Sequence, residues 1–132
     1  MKQVLIAASL VALSACSMPP ENSNAIPGSY RLVDIDGETL TGSATARIEI
    51  NGAISGQGPC NMFSGANRAA LPALDYGALA TTRRACIIEG GEGRFLTALT
   101  AVRDASATGD RLVMRGPDVT MTWQRVSDLP AQ

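Results

Sequence analysis

The stretch Gly56-Gln57-Gly58-Pro59-Cys60-Asn61-Met62-Phe63-Ser64-Gly65, read with the later run Thr82-Arg83-Arg84-Ala85-Cys86, constrains the fold of this chain more than any other. Three glycines, a proline and an asparagine so close together cannot continue a helix, and they permit the tight bends with which a strand turns a corner. Cys60 lies in the middle of that corner. The expected architecture has the sheet returning upon itself here, with Cys60 and Cys86 brought together.

The start of the chain sets the compartment. Lys2 precedes an apolar run, Val4 to Leu13, that is too short to span a bilayer as a mature helix and reads as a cleaved signal. It ends in Leu13-Ser14-Ala15-Cys16, similar to the lipobox of bacterial lipoproteins, in which the cysteine becomes the acylated N-terminus. Lipidation, with palmitate among the acyl chains, is therefore expected at Cys16. Ser17 in place of aspartate implies, by the same resemblance, an outer-membrane anchor with the domain in the periplasm. The competing reading is an ordinary signal peptide with a chance cysteine.

Removing residues 1–15 from 132 leaves 117, enough for one core and not for two. Residues 16–27, with Pro19, Pro20, Asn22, Ser23, Asn24 and Pro27, read as a flexible tether, 28–127 as the domain and 128–132 as a tail. In an oxidising compartment the two remaining thiols, Cys60 and Cys86, are expected to pair, restricting the unfolded chain by about 3 to 4 kcal/mol. Two buried thiols packed as small apolar groups are the alternative.

Alternation predicts most of the chain to be strand. Tyr30 and Leu32 begin one such segment, and Ile35-Asp36-Gly37-Glu38 reads as a turn before a second short strand. Arg47 to Asn51 and Ala53 to Gly56 flank an Asn51-Gly52 turn as a hairpin, and Arg111–Arg115 with Val119–Arg125 form another across Gly116-Pro117-Asp118. Strands are also expected over Asn67–Leu71 and Leu74–Ala80. One helix is expected, Gly91 to Ala105, on the apolar stripe Phe95, Leu96, Leu99 and Val102, with Glu92 at the positive end of its dipole and Gly109 just beyond its end. Without helical crossovers between strands the sheet should be mostly antiparallel.

The run Gly58-Pro59-Cys60-Asn61-Met62-Phe63-Ser64-Gly65 followed by Thr82 and Cys86 resembles the META/HslJ family of bacterial envelope proteins. The resemblance covers about Pro27 to Val126. It implies an α+β fold in which a strongly curled, half-open, barrel-like antiparallel sheet is closed by one helix, and it places Asn61, Ser64 and Thr82 beside the two cysteines. Tyr30 stands where the family usually carries a tryptophan. Functionally the family is linked in general terms to heat shock, envelope stress and drug tolerance, with no common biochemical activity.

The chemical inventory is thin. With no histidine, a serine or cysteine nucleophile lacks its usual base, and a zinc site would have two thiolates and scattered carboxylates. Asp34-Ile35-Asp36-Gly37-Glu38 lacks the later ligands of a calcium loop, and Gly56-Gln57-Gly58 lacks the third glycine and helix of a phosphate-binding loop. No metal, cofactor or catalytic residue is expected. Ten arginines face twelve acidic residues once Lys2 is removed, a balance that does not attract nucleic acid. Asn61 and Thr82 are expected to bond backbone groups that the irregular corner leaves unpaired, and only one of Arg83 and Arg84 can face Cys60. The leading expectation is a non-enzymatic, lipid-anchored domain acting through a protein partner in the envelope. The alternatives are a small-molecule binder using the interior of the curled sheet, and a thiol-redox protein.

Overall fold

The computed structural model describes residues 25–86, 90–127 and 129. The expected signal, Cys16 and most of the tether and tail lie outside the described residues. In chain order the elements are β1 (Gly28–Ile35), β2 (Thr45–Ile48), β3 (Ile54–Gln57), β4 (Met62–Gly65), β5 (Ala80–Thr81), α1 (Glu92–Ala101), β6 (Asp104–Thr108), β7 (Arg111–Arg115) and β8 (Thr120–Arg125). They form one sheet in the order β5-β4-β3-β2-β1-β8-β7-β6, antiparallel at every step. The architecture is α+β with a curled, unclosed sheet, as expected.

The longest strand, β1, pairs with β2 on one side and β8 on the other, so the first and last segments of the domain lie together at its centre. A register shift between Leu32 and Asp34 adds a bulge, which bends the strand and promotes curling. At Gly56 a Cβ would stand 2.0 Å from the Thr45 carbonyl oxygen, so β2 and β3 keep their register only because that position carries no side chain.

The gap between the two sheet edges is bridged by chain without regular structure. Leu74 N donates to Arg103 O (2.8 Å) and Ala105 N to Pro72 O (2.9 Å), tying the 66–79 segment to the start of β6. Asn67 braces this segment: its Oδ1 accepts from the Ala69 and Asp75 amides and its Nδ2 donates to Ala73 O. The strands expected over Asn67–Leu71 and Leu74–Ala80 are therefore not formed beyond the two residues of β5. Their backbone groups are satisfied by a side chain and by the opposite edge of the sheet, which leaves no neighbour for a ladder.

The expected helix is shortened from both ends. It stops at Ala101, Val102 is already extended, and Asp104–Thr108 pairs with β7 as a strand. Gly109 accordingly lies in the β6–β7 turn and does not follow the helix. The second short strand expected after Glu38 is reduced to a single bridge to Ile35. Asp34 and Asp36 spend a carboxylate oxygen each on the Gly37 and Thr120 amides, which supports the turn reading over a calcium loop.

Helix and sheet enclose one core. Phe95, Ala98 and Leu99 of α1 meet Tyr30, Phe63, Leu112, Met114, Met121 and Trp123 of the sheet. Phe95 sits edge-on to both Phe63 and Trp123, with ring centroids 5.2 and 6.1 Å away. At the chain's point of arrival in the domain, Arg125 donates to the carbonyls of Ala25 and Pro27 and to the Tyr30 hydroxyl, which itself donates to Ile26 O. Burial raises the Tyr30 hydroxyl pKa, and Arg125 opposes that rise.

Tyr76 is also buried, and among the described residues its hydroxyl has no hydrogen-bond partner. Replacing Tyr76 with phenylalanine is expected to stabilise the domain by about 1 kcal/mol, because an unmade bond is removed and the ring is kept. Burial pushes this hydroxyl far above the ordinary tyrosine range. An unfolded tyrosine ionises near pH ~10 while the folded one stays protonated, so stability is unaffected below that pH and falls above it. Y76F should therefore also widen the alkaline range, as read by urea titrations at neutral and alkaline pH.

Candidate functional site

The corner is built around Asn61, which is 8% exposed. Its Oδ1 accepts from Thr82 Oγ1 (2.8 Å) and from the Arg84 amide (2.6 Å), and Thr82 Oγ1 in turn accepts from Met62 N (3.1 Å). Its Nδ2 donates to Glu92 Oε2 (2.7 Å) and lies 3.4 Å from Cys60 Sγ. Three segments remote in sequence thus converge on one amide: the bend before β4, the chain after β5 and the first turn of α1.

Glu92 supplies the other half. Its Oε1 accepts from the Cys60 and Asn61 amides at 3.3 and 2.6 Å. These are backbone donors that the bend leaves without strand partners, and a carboxylate is a strong acceptor for them. A Cβ on Gly58 would lie 3.0 Å from the same oxygen, so the bare backbone there makes room for the carboxylate. At the sequence level Glu92 is only an acid suited to a helix start. Its reach across 31 residues to the Asn61 amide has no local signal beyond the glycine pair Gly90-Gly91 that delivers it.

Cys60 and Cys86 are joined as a disulfide, with Cα atoms 5.9 Å apart across 26 residues. Cys86 is exposed and Cys60 half-buried. Both border an open cleft of about 580 Å³ whose walls include Thr41, Arg84, Gly91 and Glu92. Arg84 is among the residues that line this cleft, and its backbone reaches the corner through its amide on Asn61 Oδ1. Donor atoms of Cys60, Cys86 and Glu92 lie within 4.8 Å of one another. With the sulfurs bonded to each other and the carboxylate holding three N–H groups, this cluster is not arranged to ligate a metal.

The other motif residues have structural places. Phe63 is core. Gly65 pairs with Ile54 at the far end of β4, and Thr82 joins the Asn61 clasp. Ser64 does not stand beside the cysteines, as the resemblance implied. It pairs with Ser55 and Ala80 and is exposed, because alternation along β4 turns it away from buried Phe63. The interior proposed for a small molecule is filled by Phe63, Phe95, Leu99 and Trp123, none more than 3% exposed.

The family model described as META domain matches residues 23–128. A search of curated proteins found no match. The NMR structure of a protein from Burkholderia xenovorans is similar with a TM-score of 0.66 and 21% identity, over 93% of this chain and 100% of that one. At that identity the likeness concerns the fold.

Proposed function

Because this chain belongs to the META-domain family, we propose that it is a non-enzymatic domain, anchored by a lipid on Cys16 to the outer membrane, that serves envelope maintenance under stress through contact with another envelope protein. The observation that carries this reading is the packed interior. Phe63, Phe95, Leu99 and Trp123 occupy the space in which a curled sheet would otherwise hold a ligand, so recognition falls to the outer surface. The corner motif supports the same view, since Asn61, Thr82 and Glu92 spend their polar atoms on the backbone and on one another. The lipobox supports the anchor.

The test combines location with phenotype. Metabolic labelling with an alkyne fatty acid should mark the wild-type chain in the outer-membrane fraction, and Cys16→Ser should abolish the label and release the domain. A deletion strain should lose tolerance to envelope stress, regained with the wild-type gene and not with C16S. Labelling that persists in C16S, or full complementation by the unlipidated variant, would count against the proposal.

A further inference from the structure

We propose that Cys60–Cys86 is an exchangeable disulfide, attacked at Cys86 by the thiolate of a dithiol reductant that docks in the cleft beside Arg84. The two sulfurs are unequal. Cys86 is exposed to an incoming nucleophile, whereas Cys60 is half-buried with the Asn61 amide 3.4 Å from its sulfur. The Arg84 carbonyl (3.6 and 3.7 Å) and the Glu92 carboxylate (within 4.8 Å) disfavour negative charge on both sulfurs alike, so the Asn61 donor, which faces Cys60, is what makes Cys60 the better leaving group. Arg84 is exposed at the rim of the same cleft, so its charge adds a positive contribution to the field that an approaching thiolate meets, against that of the Glu92 carboxylate.

The bridge is also not what positions its own segment in the folded domain, although it still restricts the unfolded chain. Thr82 N donates to Met62 O (3.0 Å), Thr82 Oγ1 and Arg84 N both reach Asn61 Oδ1, and Phe63 pairs with Thr81. The segment is thus fixed to β4 as far as Arg84 without help from sulfur, two residues short of Cys86. Reduction would break the covalent link and leave the thiols beside each other, ready to close again.

The chemistry balances with the dithiol as the only co-reactant. Its thiolate bonds to Cys86 Sγ, the Cys60–Cys86 bond breaks, and the electron pair leaves on Cys60 Sγ, which takes up a proton. The reductant's second thiolate then attacks its own sulfur in the mixed disulfide and releases Cys86 as the thiolate, which is protonated in turn. The protein gains two electrons and two protons, and the reductant leaves as a disulfide.

The experiment uses the oxidised full-length chain in detergent, with dithiothreitol as the dithiol and glutathione as a monothiol trap. Millimolar dithiothreitol should reduce the bridge completely without denaturant, with the far-UV circular dichroism and a cooperative melt retained. Acid-quenched glutathione reactions, read by peptide mass spectrometry, should place the adduct on Cys86 in preference to Cys60 by about tenfold or more. Arg84→Glu, an exposed change, should slow the reaction with glutathione several-fold and that with 2-mercaptoethanol, whose attacking thiolate carries one negative charge fewer, by a smaller factor. Reduction that requires denaturant, reduction that unfolds the domain, an adduct on Cys60, or an R84E rate equal to wild type with glutathione would each overturn the proposal.

Discussion

Trp123→Ala is expected to destabilise the domain by about 3–5 kcal/mol, the range for truncating a large aromatic ring in a close-packed interior. Trp123 is fully buried on β8, opposite Leu32 of β1 and Leu112 of β7, and edge-on to Phe95 of the helix. Its removal therefore opens the layer in which the central strands and the helix meet, far from any surface that could collapse to fill the space. Among the described residues the indole N–H has no partner, so the ring's volume is what holds it in place and no hydrogen bond is lost with it. Set against a typical stability of about 5–15 kcal/mol, the loss is a large share of the total. Urea titration followed by circular dichroism would measure it. A loss below about 1 kcal/mol would mean that the helix and sheet do not close around this ring.

Asn61→Ala comes second, with an expected loss of about 2–3 kcal/mol. The substitution removes the acceptor for the Thr82 hydroxyl and the Arg84 amide, and the donor to Glu92 Oε2. The bond to the carboxylate is charge-assisted and is the largest single contribution. Partial access of water at the cleft moderates the cost, because Arg84 and Thr82 are exposed. Specificity is checked with a double-mutant cycle. Asn61→Ala and Glu92→Ala together should cost less than their sum by about 1 kcal/mol or more, since they share one bond. Strict additivity would show that the clasp does not act as a unit.

The corner shows how far local sequence reaches. Glycines and a proline around Cys60 announce a bend because they change what the backbone can do at those positions. The alternation at Arg47–Gly56 and Arg111–Arg125 announces hairpins because its period of two matches a half-buried strand. Both are present in the structure. The same reasoning put Asp104 and Ala105 in the helix and gave 106–108 no element, because the small residues Asp-Ala-Ser-Ala-Thr carry no strong strand preference and their pairing is imposed by β7. It also assigned strands to 67–80, where the side chain of Asn67 and the opposite sheet edge take the backbone bonds that a ladder would have used.

Site residues divide along the same line. Asn61 and Thr82 could be named from the motif, and a backbone role for them from the rule that buried polar groups find partners. Glu92 could be named only as an acid at a helix start, and Arg125 only as a strand residue, although one binds the bend before β4 and the other the carbonyls of Ala25 and Pro27. The sequence by itself determined the strand-rich content, the helix stripe, the corner and the absence of a histidine, because composition and periodicity are properties of neighbours. Tertiary structure alone decided which edge β6 would extend, which wall of the cleft Arg84 would line and which amides Glu92 would bind, because those contacts join segments whose approach is set by how the sheet curls and packs.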